Sequence, residues 1–331
     1  MIVNINLFYL AKPKYGGWVT YTTHLFRALQ EVGCQVSLFK ITKRTESSVR
    51  HFSDGIYYQN VDIETAETLS KMMPSVITAS DKNYLHETES ILSNEAHIVI
   101  HDPTEMREQL VDVVKKTKCK PISIREVNVK NLKTLGLDSV FVRHPYVRYN
   151  KEGSVQDKTE LAVSTSRIDF DKHIDTILDA NNSLKDKVKI YGAENGLYTY
   201  HKLIKTHPEW KQDYHGCFGN AYGEVFKILN PSKYMIDMSA IKKDGGGTQY
   251  TFLEGWDANC VLILNKKWDI GVGNDMQENV NCLYAETSDD LVNILKRDTD
   301  DFGHLIESGL QRLELHTPEV IAKDFIGVIN G

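Results

Sequence analysis

The apolar run "MIVNINLFYL" is followed by the loop "AKPKYGG", by "WVTYTTHLFRALQEVG", and by "CQVSLFK". That succession constrains the chain more than any single residue does. In the third piece Leu25, Phe26 and Leu29 recur at helical spacing, and Gly33 stands where a helix stops. The result is a β-loop-α-β unit, whose right-handed crossover builds a parallel sheet. The rhythm continues through the strand candidates "SVITAS", "AHIVIHD", "PISIREV" and "SVFVRHPYV". The polar stretch "RYNKEGSVQDKTE" has no apolar period and reads as an interdomain linker.

A second set then begins at "LAVSTSRI". It continues with the helix "KHIDTILDANNSL", the strands "KVKIYG", "KYMIDMS" and "CVLILN", the helix "SDDLVNILKRD", and a helical segment from Asp301 to about Ile329. The expected architecture is α/β, with two Rossmann-like, doubly wound domains facing a cleft. The expected boundaries are 1–152 and 153–331, with the closing helices in the second domain. A length of 331 residues suits two domains.

Composition narrows the function. With 41% hydrophobic and 25% charged residues the chain is an ordinary globular protein, and a net charge of −6 gives it no overall basic character. Five cysteines, Cys34, Cys119, Cys217, Cys260 and Cys282, are scattered without ligand spacing, so reduced thiols in a cytoplasmic protein are expected. No run reaches the roughly 18 apolar residues of a membrane span. No clear metal-ligand set follows a strand, and the Asp pairs at 289–290 and 300–301 read as helix-start acids.

The informative loops all follow predicted strands, where doubly wound sheets bind ligands. Gly16 and Gly17 let main-chain N–H groups at a helix start face an anion, or simply make a turn. Their spacing matches neither a dinucleotide fingerprint nor a P-loop. In "SRIDFDK", Arg167 and Lys172 supply a fork and a point charge for a diphosphate, or else a solvated face. Gly245, Gly246 and Gly247 precede a helix and bare its amides, and Glu254 two turns inside suits the paired hydroxyls of a ribose. In "VIHDP", His101 and Asp102 could orient or deprotonate a substrate hydroxyl, or act as a plain cap.

Taken in order, "YGGWVTYTTHLFRALQEVGCQVSLF", "VIHD", "STSRIDFDKHIDTIL", "KIYG", "DYHGCFGN" and "GGGTQYTFLEGWDANCVLILN" resemble retaining GT-B glycosyltransferases, which include many bacterial and phage enzymes using nucleotide sugars. The resemblance spans most of the chain and is strongest in the second domain. It implies that Gly16 and Gly17 lie near the donor diphosphate, that Arg167 and Lys172 clamp it, and that the main chain of Gly245, Gly246, Gly247 and Thr248 holds its other side. Glu254 would hold the ribose, His215 to Phe218 with Gly216 would grip the base, and Gly192 belongs to the same donor site. One departure stands out. The family usually carries a glutamate eight residues before the Glu254 position, where this chain has Gly246; Asp244 is the substitute.

Within that family, "TQYTFLEGWDANCVLILNKKW" and the "HIVIHD" loop are most similar to phage enzymes that glycosylate 5-hydroxymethylcytosine in DNA. The resemblance implies a UDP-glucose or UDP-arabinose donor, no obligatory metal, double-stranded DNA with hydroxymethylated bases as acceptor, and a monomer in the cytoplasm of an infected cell. "KKTKCK" (115–120), "REVNVKNLK" (125–133) and "RHPYVRYNK" (143–151) offer basic and aromatic residues for a DNA track. The alternatives are a glycan or lipid-linked acceptor, a non-catalytic nucleotide- or DNA-binding module, and a nucleotide-sugar epimerase.

Overall fold

The structure, a computed structural model, describes residues 3–12, 16–42, 48–150, 157–219, 223–240, 247–269, 275–297 and 302–329. The chain divides into two compact units, Met1–Val147 with Leu315–Gly331, and Arg148–Glu314.

The first unit runs β1 (Asn4–Leu10), α1 (Gly17–Glu31), β2 (Gln35–Ile41), β3 (Val49–Ser53), β4 (Ile56–Val61), α2 (Ile63–Met72), β5 (Ser75–Ser80), α3 (Leu85–Leu92) and β6 (His97–Ile100). It continues with α4 (Glu108–Thr117), β7 (Ile122–Ser123), α5 (Glu126–Thr134) and β8 (Val140–Phe141). The strands lie in the order β3-β4-β2-β1-β5-β6-β7-β8, parallel except for the β3–β4 hairpin. From Ile5 to Leu10 β1 is buried without a break, as a parallel strand covered on both faces must be. Phe8, Phe39, Ile77, Ile98 and Ile100 pack with Ile91, Leu110 and Val114 of the covering helices. The order reverses between β1 and β5, so the loops leaving those strands flank the switch point where such sheets bind ligands.

Two expected strands shrink to two residues each. "PISIREV" is strand only at Ile122–Ser123, because Arg125 takes an extended conformation as N-cap and α5 begins at Glu126. "SVFVRHPYV" is strand only at Val140–Phe141; further on, the Tyr146 N–H turns to the His316 carbonyl at 2.8 Å. The β3–β4 hairpin was not expected. Its turn is Asp54-Gly55, with φ of 43° and 73°, the doubly left-handed pair that a two-residue hairpin turn requires.

The second unit runs β9 (Glu160–Ser164), α6 (Ile174–Asn181), β10 (Lys189–Ile190), α7 (Gly196–Tyr198), α8 (Ile204–Thr206), α9 (Glu224–Leu229), β11 (Ser232–Asp237), α10 (Tyr250–Asp257), β12 (Val261–Asn265), β13 (Leu283–Ala285), α11 (Ser288–Leu295) and α12 (Gly303–Leu313). Its sheet, β10-β9-β11-β12-β13, is parallel throughout, with its switch point between β9 and β11. Ala162, Ile190, Tyr234, Ile236 and Ile263 form the core with Ile174, Ile177 and Leu291. α11 starts on a capping box between Thr287 and Asp290, so the acid at 290 serves a helix start. Asp300 and Asp301 lie outside the described residues.

The end of the chain departs from the expected division. The last helix, α13 (Pro318–Ile329), packs on α1 in the first unit, burying Ile321, Ala322 and Phe325. Just before it, His316 donates Nδ1–H to the His144 carbonyl at 2.8 Å. The expected linker also begins as ordered structure: Arg148 Nε and the Tyr149 N–H donate to the Asp257 carboxylate at 2.9 and 2.8 Å. The chain therefore changes units between Val147 and Arg148, ahead of the polar stretch.

Candidate active site

In the second unit, the loops after β9 and β11 meet at the switch point through Lys172. Its side chain is buried and its ammonium donates to Ser239 Oγ at 2.8 Å, with the Asp171 carboxylate at 3.5 Å. Ser239 is held in turn by Asp237, which accepts from both its N–H, at 2.9 Å, and its hydroxyl. The second Asp237 oxygen accepts from Thr251 Oγ1 in the first turn of α10 at 2.8 Å. A buried carboxylate thus ties the start of α10, through Ser239, to the lysine. Arg167 is more exposed and lies in a fork of acids, 3.0 Å from Asp169 and 3.8 Å from Asp171. The buried hydroxyls of Ser164, Thr165 and Ser166 and the amide nitrogen of Gln249 find no hydrogen-bond partner among the described residues. They are polar groups at the mouth of the sheet that a ligand could satisfy.

Gly247 has φ +75° and lies three residues ahead of α10, whose first residue is Tyr250, so it belongs to the loop and does not open the helix. Its carbonyl accepts from Trp268 Nε1 at 3.3 Å, and Thr248 Oγ1 donates to Asp275 at 3.3 Å. Asp244, Gly245 and Gly246 lie outside the described residues. Glu254 is buried in α10, and burial, then the charge of Asp257, pushes its carboxyl up to about 8. Burial thus favours its neutral, protonated form.

Gly192 and Gly216 sit on adjoining backbone, with the Gly192 N–H donating to the Gly216 carbonyl at 3.0 Å. A Cβ on Gly192 would fall 2.0 Å from the Ser166 carbonyl oxygen, and its φ is +146°. The demand for glycine there comes from the neighbouring loop that carries Arg167. His215 is exposed and stacks on Tyr191 at 5.4 Å, while Phe218 is half-buried nearby in sequence.

In the first unit, Gly16 and Gly17 start α1 with no described residue within 4 Å of where a Cβ would stand, and Gly16 has φ +134°. His101 is buried after β6. Its Nε2 lies 2.7 Å from the Thr78 carbonyl, which can only accept, so Nε2 carries the proton and Nδ1 keeps its lone pair. Burial pushes its pKa down to about 4, so the ring is neutral. The Tyr21 ring meets it edge-on at 4.8 Å. Asp102 is the N-cap of the turn Pro103–Glu105, with Oδ1 accepting from the Thr104 N–H at 2.7 Å and from its hydroxyl. One oxygen of Asp102 therefore does structural duty.

No family profile matches the chain, and no curated protein matches it. Solved structures do. An alpha-glucosyltransferase in complex with UDP and a 13-mer DNA containing an HMU base superposes with a TM-score of 0.74 at 14% identity, over 100% of both chains. Alr3699/HepE of Anabaena in complex with UDP and glucose gives 0.68 at 10% identity, over 98% of this chain and 99% of that one. The lipopolysaccharide outer core galactosyltransferase WaaB gives 0.62 at 12%, over 99% of both.

The fold is GT-B.

Within this GT-B chain, sequence reading passed over three side chains that organise the sites. Asp237 and Ser239 end "KYMIDMS", where a polar pair closing an apolar strand was the available signal. Glu105 is the third: its carboxylate accepts from the His101 N–H at 2.8 Å and from the Trp18 indole at 2.5 Å. Among the described residues no cluster of His, Cys, Asp and Glu could hold a metal ion, and no helix is long and apolar enough to cross a membrane.

Proposed function

We propose that the chain is a retaining, UDP-sugar-dependent glycosyltransferase that transfers a hexosyl or pentosyl group to 5-hydroxymethylcytosine in double-stranded DNA. The observation that carries it is the convergence, at one switch point, of Arg167, buried Lys172 and the start of α10, with Glu254 one turn along that helix. A diphosphate needs a positive fork and a point charge, and a nucleoside needs a group that bonds its ribose. The acceptor half is supported by the full-length likeness to a glucosyltransferase bound to UDP and DNA.

In this mechanism the hydroxymethyl oxygen attacks the anomeric carbon on the face from which UDP leaves. The bond from that carbon to the diphosphate oxygen breaks, the new glycosidic bond forms, and the hydroxyl proton passes to the departing diphosphate. Arg167 and Lys172 stabilise the charge that builds on the diphosphate, the main electrostatic contribution. Asp102 orients the acceptor hydroxyl through the oxygen that does not cap the turn. The target base leaves the duplex stack to reach the sugar. The protein works as a monomer in the cytoplasm of an infected cell, with UDP-glucose or UDP-arabinose as donor.

The test is incubation with hydroxymethylcytosine DNA and a panel of UDP-sugars, followed by mass spectrometry of the digested nucleosides. A gain of one sugar on that nucleoside establishes donor and acceptor together. Slow donor hydrolysis without transfer discards the DNA acceptor and points to a glycan. Neither transfer nor hydrolysis makes the chain a binding module.

A further inference from the structure

Trp18 stands apart from the other tryptophans. Trp210, Trp256 and Trp268 are 3%, 1% and 2% exposed, whereas Trp18, in the first turn of α1, is only partly buried. Its position is nonetheless fixed. The indole Nε1–H donates to Glu105 Oε1 at 2.5 Å, and Glu105 Oε2 accepts from the His101 N–H at 2.8 Å. One carboxyl group therefore ties the start of α1 to the end of β6. The Trp18 ring lies 6.4 Å from the His101 ring, tilted by 53°, and Tyr21 one turn on closes against the same imidazole.

With its only N–H taken up, Trp18 has no hydrogen bond left to give. What it can offer a ligand is the face of its ring, and a large aromatic surface is left partly in water only at some cost. Beside it, Gly16 and Gly17 carry no side chain, and no described residue enters the space a Cβ would take. Asp102 is one residue from the N–H that Glu105 holds.

We propose that Glu105 clamps Trp18 as a flat platform on which the pyrimidine ring of the extruded acceptor nucleotide stacks, beside Asp102. Trp18 is then an acceptor-binding residue and Glu105 a positioning residue, a role that rests on the DNA glycosyltransferase function above. Stacking accepts any base face, so the hydroxymethyl group is selected by Asp102 and not by the indole. Burial and the nearby Asp102 push the Glu105 carboxyl up to about 8, against the pull of the two hydrogen bonds it accepts from His101 and Trp18.

The experiment measures KM for hydroxymethylcytosine DNA and for UDP-sugar separately. Trp18→Ala should raise the DNA KM about tenfold, the usual scale for losing one base stack, with little change in the UDP-sugar KM. Trp18→Phe keeps a ring and should recover most of that loss. Glu105→Gln keeps one acceptor oxygen and loses the other, and should fall between them. Because Trp18 is the only tryptophan that is not buried, its fluorescence in the wild-type protein should be quenched by acceptor DNA. This readout needs no variant to fold. Transfer by the wild type with an unchanged DNA KM in Trp18→Ala, or with no quenching, overturns the platform alone. No transfer by the wild type to this DNA overturns the proposed function, and the platform with it.

Discussion

Lys172 Nζ lies 2.8 Å from Ser239 Oγ, joining the loop that leaves β9 to the loop that leaves β11. A buried ammonium held by one hydroxyl and one carboxylate, with a third proton still to place, is preorganised for an anion. Lys172→Ala should weaken UDP binding at least tenfold by calorimetry, the scale of a hydrogen bond to a charged group. Ser239→Ala should weaken it by a smaller factor, since the charge stays while its aim is lost. Unchanged affinity in both variants would remove the lysine from the donor site.

Arg167→Ala tests the other arm. Its guanidinium is exposed and already paired with Asp169 and Asp171, surface pairs that contribute little to stability. The thermal midpoint should therefore hold while UDP affinity falls. A protein that melts earlier with UDP binding intact would make Arg167 a structural residue.

Gly17 and Gly192 should respond in opposite ways. Gly17→Ala places a methyl in open space, so stability should hold within about 0.5 kcal/mol while donor affinity drops. Gly192→Ala drives a methyl to within 2.0 Å of the Ser166 carbonyl oxygen at positive φ, and should cost about 3 kcal/mol or more in urea unfolding. Equal effects on stability would refute the distinction.

Asp102→Asn preserves the cap, since asparagine caps as well as aspartate, but removes the charge. Turnover should collapse with UDP affinity and melting temperature unchanged. Near-normal turnover would leave Asp102 with its structural role only.

Glu254 sets a pH dependence. Its folded pKa, about 8, is raised above the ordinary carboxylate value, so the folded chain binds this proton more tightly than the unfolded one. Stability from this group is full below the ordinary carboxylate pKa and declines as pH rises toward about 8. Glu254→Gln, which cannot ionise, should flatten the fall in melting temperature between about pH 5 and pH 8. A parallel fall in both proteins would mean that Glu254 ionises without penalty.

The fold was legible where a single residue pattern decided an element. "SVITAS" and "CVLILN" became strands nearly residue for residue, because unbroken apolar β-branched runs suit a strand buried on both faces. "PISIREV" misled because nothing in its apolar period reveals that Arg125 would turn the chain into a helix. At the proposed donor site, Arg167 and Lys172 were legible as charges beside a strand end. The relay from Asp237 through Ser239 to Lys172 was not, since it depends on which strands the sheet makes neighbours. Glu105 was hidden for the same reason: its partner Trp18 is 87 residues away.

The return of α13 to α1 gives the two units different histories during synthesis. Residues 148–314 leave the ribosome as one uninterrupted segment and can close their sheet while translation continues. Residues 1–147 emerge first but must wait for α13, so the surface of α1 that α13 covers stays bare until residues 318–329 have left the ribosome. The second unit is, in effect, an insertion into the first. A stop codon before residue 318 would leave that second segment whole while stripping the unit made first of its final layer.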